Sequence, residues 1–159
     1  MTAVNGLRLA YRGFVAGIAG GYVWAAIAMT LAGIGFGDPL RPLRPFADAL
    51  VPMALSAELA FVLGLGLVQA GGAVIGMCFA YFFARFFTVR ATVAAAGPCF
   101  ALLVWGLFGA VGLGGGAGQD FAVHPIAILA TIGFGLLLGG AVPLRGDVTR
   151  YPASGSPST

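Results

Sequence analysis

The chain has 159 residues, of which 60% are hydrophobic and only 8% are charged, and its mean hydropathy is +1.01. A soluble domain carries about 25% charged residues, so this composition excludes a water-soluble globular protein. The net charge of +3 is too small for nucleic-acid binding, which needs a clustered basic face. Cys78 and Cys99 have no C-x-x-C partner, which argues against a zinc or thioredoxin-type site.

The first apolar stretch covers residues 13–34 and follows a short polar start. About 20 residues at a rise of 1.5 Å cross the hydrocarbon core of a bilayer, and a signal peptide has a shorter apolar core. We therefore predict a transmembrane helix that is retained in the protein. Gly13, Gly17 and Gly21 recur every four residues, so they share a helix face that another backbone can approach closely.

Residues 35–57 form the longest connection and contain four prolines. Two interpretations of its centre are open. Residues 43–51 form either a short amphipathic helix that lies on the membrane surface or part of a proline-rich loop. In a helix, Arg44 and Asp48 have the spacing of an i,i+4 ion pair on the polar face.

The second span, residues 60–83, is the longest and contains no charged residue. Gly72 and Gly76 lie on one face, where we expect a helix–helix contact. Gln69 lies near the middle of the span. An amide at that depth favours a hydrogen bond to a neighbouring helix over contact with a substrate.

The third and fourth spans cover residues 94–113 and 125–142. Gly135 and Gly139 on the fourth span again have a spacing of four, which indicates a packing face. Between the two spans, residues 112–118 are rich in glycine but lack the Lys-Ser/Thr of a phosphate-binding loop. We interpret this run as a turn at the membrane surface.

Arginine placement predicts the orientation of the chain. Six of the eight arginines lie in the N-terminal segment, the second connection and the C-terminal tail, and the other two lie in the first connection. We expect residues 1–144 to form an all-α bundle of four transmembrane helices in a bacterial inner membrane. Both termini would be cytoplasmic, with residues 145–159 as a polar, disordered tail.

Residues 64–67 and 71–74 (GLGL, GGAV) are similar to residues 133–136 and 139–142 (GFGL, GGAV), with one gap. Two explanations are open: two tandem copies of one helical hairpin, or a chance similarity of glycine-rich membrane sequence. The pattern of two glycine-rich hairpins resembles the small four-helix bacterial inner-membrane proteins of the YagU-like kind. That resemblance implies a fold and no activity.

Three polar side chains are candidate functional groups, namely Glu58, Gln69 and His124. Glu58 is either an entry site for a proton or cation or an acid favoured by the helix dipole at an N-terminus, and we favour the second. His124 is the only histidine, whereas haem in a helical bundle usually takes two axial ligands. We therefore expect no haem and no metal, and a hydrogen-bonding role for His124 in preference to proton sensing.

Aromatic residues are densest at the end of the second span. An interfacial aromatic belt explains them without a ligand, and a contact surface for a partner subunit or a lipid-like quinone is the alternative. The cluster consists of Phe79, Tyr81, Phe82, Phe83, Phe86 and Phe87.

The chain offers no paired carboxylates and no metal-binding or acid–base motif, so we expect no enzymatic activity. Four packing faces and very little soluble mass favour an accessory, structural subunit of a larger membrane complex, for example a respiratory or electron-transfer complex. Its partners would be the lipid bilayer and other membrane subunits, or further copies of itself. The alternative is a small transporter or channel for an ion or solute, with Glu58 and Gln69 on its pathway.

Overall fold

A computed structural model describes residues 3–51, 53–83, 86–87, 89–110 and 124–142. Within these residues the regular structure is helical and contains no strand. Three helices are long and apolar enough to cross a membrane, and a fourth apolar helix is shorter. The chain thus has the helices of an integral membrane protein. In chain order the helices are α1 (Ala3–Phe36), α2 (Arg44–Leu50), α3 (Ala57–Cys78), α4 (Arg90–Ala110) and α5 (Pro125–Ala141), and a π-helical segment, Phe79–Phe83, continues α3.

Some predictions fall on parts of the chain outside the described residues. These are the glycine-rich run at 112–118, the tail at 145–159 and the end of the third span at 111–113.

The helix α1 begins at Ala3, ten residues before the start of the predicted span. Leu9 is buried, and a Cβ atom on Gly6 would lie 3.5 Å from the Tyr81 ring, so this part of the helix packs against the rest of the protein. Arg8 and Arg12 lie on the exposed side of the same helix. At its other end α1 stops before Gly37, whose φ of +68° is the left-handed conformation that ends many helices.

The helices α3 and α4 also begin earlier than predicted, and a hydrogen bond is present at each start. At the start of α3, the Ser56 hydroxyl accepts a hydrogen bond from the Leu59 N–H at 3.4 Å, which is an N-cap. At the start of α4, the Arg90 Nη1 donates to the Val142 carbonyl oxygen at 2.6 Å. This bond joins the start of α4 to the end of α5. It places the positive charge of Arg90 beside the C-terminus of α5, where a cation is stabilised by the helix dipole.

Within the described residues, α1, α3, α4 and α5 pack against one another along three sides of a bundle. The helix α1 packs against α3 on one side and α5 on the other, and α4 packs against α5. On the fourth side α3 and α4 have little direct contact, and the short helix α2 packs against α3 there. We refer to the end where α1 finishes and α3 begins as the α2 end, and to the opposite end, with Phe79–Phe83, as the π end.

Glycines allow the backbones of α1 and α3 to meet. A Cβ atom on Gly72 would lie 2.6 Å from the Gly17 carbonyl oxygen, and one on Gly76 would lie 2.8 Å from the Gly17 Cα. Similarly, a Cβ atom on Gly13 would lie 2.6 Å from the Ala80 Cβ. Carbon atoms in unstrained contact are about 3.5–4.0 Å apart, so no larger residue fits these positions with the helices in place.

The helices α1 and α3 form a first hairpin, and α4 and α5 form a second one whose backbones also meet at glycines. A Cβ atom on Gly135 would lie 2.6 Å from the Pro98 nitrogen, and one on Gly97 would lie 2.8 Å from the Gly139 nitrogen. Both hairpins are therefore held by direct backbone contact at small residues, which is how helices associate in lipid.

Candidate functional site

The fourth side of the bundle, which we call the open side, contains a cavity of about 370 Å³ between α3 and α4. On α3 its wall runs from Leu67 to Ile75, and on α4 it runs from Ala101 to Gly109. Residues of α1, α2 and α5 complete its lining, and none of the described lining residues is charged. This cavity is the candidate functional site.

Three aromatic rings from three different helices form the wall nearest the α2 end. The Trp24 ring lies 5.7 Å from Phe46 and 5.5 Å from Trp105, and Phe46 lies 6.4 Å from Trp105. Trp24 is only 5% exposed, and Phe46 brings α2 into the same cluster. Ring pairs at these separations are stabilising.

The floor of the cavity holds a buried hydrogen-bonded pair. The Trp24 Nε1 donates to the Thr131 hydroxyl at 3.2 Å, and that hydroxyl donates to the Ala127 carbonyl oxygen at 2.8 Å. Both side chains are buried, so each of these polar groups needs a partner. The pair links α1 to α5 and leaves this part of the lining without an unsatisfied donor.

A second set of rings lies between the cavity and the π end. Phe100 on α4 lies 5.3 Å from Phe79 and 5.0 Å from Phe83, and Phe79 is fully buried. Phe79 comes one helical turn after Ile75 of the cavity wall, so these rings join α3 to α4 where the cavity ends. The cavity is therefore bounded at both ends and borders the open side between the two helices.

Gln69 faces α1 and does not line the cavity. Assigned from its neighbours, the amide nitrogen donates to the Ile18 carbonyl oxygen at 2.8 Å and the amide oxygen accepts from the Tyr22 N–H at 3.2 Å. A Cβ atom on Gly21 would lie 2.7 Å from this amide, so only glycine leaves room for it. Gln69 thus forms a hydrogen-bonded link between α3 and α1.

Glu58 and His124 both lie in the first residues of helices at the α2 end. Glu58 is in the first turn of α3, where an acid is stabilised by the helix dipole. His124 is the N-cap of α5, and its Nδ1 accepts from the Ile126 N–H at 3.3 Å. The His124 ring also lies 5.0 Å from Phe36, the last residue of α1. The structure does not bring the three polar candidates together.

The first connection contains a helix, α2, within the stretch 43–51. Its predicted ion pair was wrong, because Arg44 lies 3.5 Å from Asp38 and not beside Asp48. Asp38 is near because its carboxylate also accepts from the Leu40 N–H at 3.0 Å, which turns the chain back towards α2. A Cβ atom on Gly64 would lie 2.5 Å from the Leu43 carbonyl oxygen, so α2 begins directly against α3.

The predicted aromatic cluster is divided between the inside of the bundle and its surface. Phe79 is fully buried, Phe83 is 41% exposed, and both rings contact Phe100. Phe87 is partly buried and packs against the core. Tyr81, Phe82 and Phe86 are exposed at the π end, together with Tyr11 of α1. We call these four the exposed aromatic row.

Cys78 is half-buried and Cys99 is exposed, and both are free thiols. Among the described residues no three His, Cys, Asp or Glu side chains are grouped as a metal site would require. No protein-family model, curated protein or solved structure matches this chain.

Sequence reasoning did not find the cavity. Trp24 and Trp105 are visible as mid-span tryptophans, but their contact depends on how α1 and α4 face each other. The only signal for Thr131 was its position among small residues of the fourth span, four residues before Gly135.

Proposed function

We propose that this chain is a non-catalytic integral membrane protein and an accessory, structural subunit of a larger membrane complex. One observation carries the proposal: each polar side chain that the sequence offers for chemistry has a local structural role. Gln69 links α3 to α1, His124 caps α5, and Glu58 lies in the first turn of α3. The described part of the chain therefore uses these groups to hold its own helices.

The same observation argues against the alternative, a small transporter or channel. Gln69 is the mid-membrane polar residue that a pathway would use, but its amide faces the α1 backbone. Among the residues that the structure describes, no charged side chain lines the cavity, whereas transport pathways for ions are marked by intramembrane ionisable groups. Backbone contact at the glycines also opposes the movement of one helix against another that transport requires.

In this proposal α1, α3, α4 and α5 all cross the membrane, and both termini are in the cytoplasm. The 17 residues of α5 span about 26 Å, close to the hydrocarbon thickness of about 30 Å. The bias of six arginines against two supports this orientation, and a bacterial inner membrane is the membrane that we propose. The π end would then lie at the cytoplasmic surface.

The exposed aromatic row at the π end is the face that we propose for a partner subunit. Tyr11 is 67% exposed and Phe82 is 51% exposed, and aromatic side chains are enriched where membrane and protein interfaces meet. In the proposed orientation this face is available to a protein in or beside the inner leaflet.

Site-specific photocrosslinking in native membranes tests this proposal. A photoreactive phenylalanine analogue would replace Tyr11 or Phe82, and Leu129 or Leu136 on α5 would serve as equally exposed apolar controls. We expect crosslinks to one defined polypeptide from the aromatic row and only lipid adducts from α5. Lipid adducts alone at all four positions would contradict the proposed subunit role.

A further inference from the structure

The cavity between α3 and α4 has the dimensions of a narrow ligand site. Its volume of about 370 Å³ lies within the range of about 300–1,000 Å³ for small-molecule sites. Its walls on α3 and α4 each cover nine residues, so it extends about 12 Å along the helices. A hydrocarbon chain that lies along the two helices suits a cavity of this length and shape.

The lining favours an apolar occupant. It contains Trp24, Phe46, Trp105, Phe108 and Phe134 with aliphatic residues and glycines between them. A bound water needs about two to four polar partners, and a quinone ring needs donors for its carbonyl oxygens. The Trp24 N–H and the Thr131 hydroxyl hydrogen are already used within the floor of the cavity.

The position of the cavity indicates where its occupant comes from. It lies on the one side of the bundle where neighbouring long helices have little contact, so it borders the lipid directly. At the α2 end, Pro45 of the lining follows Arg44, whose side chain is 56% exposed. Arg44 contacts Asp38 at 3.5 Å, but a guanidinium has five donors, so it can also bind a phosphate at the membrane surface.

We propose that the cavity is a binding site for one acyl chain of a membrane phospholipid, which enters between α3 and α4 with its phosphate near Arg44. The chain fills the space between the two helices and completes the fourth side of the bundle. None of the lining residues belongs to the exposed aromatic row, so this lipid site is independent of the proposed partner face.

The two tryptophans make the site measurable. The chain contains only two, both line the cavity, and bromine atoms on an acyl chain quench indole fluorescence on contact. The full chain would be reconstituted in phosphatidylcholine vesicles with increasing fractions of a dibrominated-chain phosphatidylcholine. The test variant is Val104→Phe, which places a ring at the cavity wall. The control is Leu103→Phe, which adds a ring at the neighbouring exposed position of α4.

We expect quenching of the wild-type protein to saturate at a bromolipid fraction on the order of tenfold lower than for Val104→Phe. Leu103→Phe should behave as the wild type does. Equal, non-saturating quenching in all three proteins would overturn the proposal.

A second measurement on the wild-type protein does not depend on how Val104→Phe folds. Native mass spectrometry after detergent exchange should show one retained molecule with the mass of a phospholipid. A retained isoprenoid quinone, or no retained lipid, would overturn the assignment of a phospholipid acyl chain. Because these readouts concern lipid alone, they can fail while the partner crosslinks succeed, and the reverse also holds.

Discussion

The contact of α1 with α3 at Gly72 predicts a measurable difference between two adjacent glycines. A Cβ atom on Gly72 would lie 2.6 Å from the Gly17 carbonyl oxygen, whereas a Cβ atom on Gly71 would meet nothing within 4 Å. The variants Gly72→Ala and Gly71→Ala therefore add the same methyl group to the same helix, one at the interface and one away from it.

The expected size of the effect follows from the geometry. Unstrained contact of heavy atoms needs about 3.5 Å, so Gly72→Ala must move α1 and α3 apart by about 1 Å. Overpacking of this kind destabilises by about 1–3 kcal/mol, and the wider gap also loses about a quarter to a half of the dispersion energy across the contact. The higher helix propensity of alanine offsets about 1 kcal/mol. We expect the free energy of unfolding to fall by about 2 kcal/mol.

The assay is thermal unfolding in mild detergent, followed by circular dichroism. For a domain of this size, about 2 kcal/mol lowers Tm by roughly 4–8 °C. Gly71→Ala should leave Tm unchanged or raise it slightly, because it gains propensity without a clash. Equal Tm values for the two variants would refute the backbone contact at Gly72.

Three further predictions concern topology, the buried hydrogen bond and the lone histidine. Reporter fusions after Gly116 and after Pro152 should report opposite sides of the membrane, and a shared side would disprove the four-span topology. Thr131→Val leaves the buried Trp24 N–H without its acceptor, so it should lower the free energy of unfolding by about 1–3 kcal/mol. Thr131→Ser keeps a hydroxyl and should retain most of the wild-type stability. An unchanged Tm in Thr131→Val would show that the bond contributes nothing. Purified protein should show no Soret absorption band, and His124→Ala should lose the cap of α5, worth about 1 kcal/mol, together with the ring contact to Phe36; a Soret band that His124→Ala abolishes would show haem binding.

The helical membrane class was predictable because it depends on local sequence properties. The length of each apolar stretch determines whether it can cross a bilayer as a helix. A spacing of four residues places Gly72 and Gly76 on one helix face, whichever helix packs against them. Helix ends were less predictable, because they depend on contacts from elsewhere in the chain. The start of α1 depends on the burial of Leu9, and the start of α4 on the bond from Arg90 to Val142.

The candidate site was not predictable, because it arises from a difference between two sides of the bundle. Sequence periodicity marks the faces of α3 and α4, but it does not show that α1 meets α5 closely while α3 and α4 stay apart. The aromatic residues illustrate the same limit. Phe79 and Phe82 are three residues apart in one apolar run, yet the first is fully buried and the second is half exposed.

The central claim is that this protein is a non-catalytic subunit of a larger membrane complex. Its most direct test is the mass of the particle that a mild, lipid-preserving extraction releases from native membranes, measured by native mass spectrometry. The chain alone has a mass of 16.0 kDa. We predict a particle that contains this chain and at least one different membrane polypeptide in a fixed ratio. A particle of the single chain, or of copies of the chain alone, with no mass beyond bound lipid, would contradict the account.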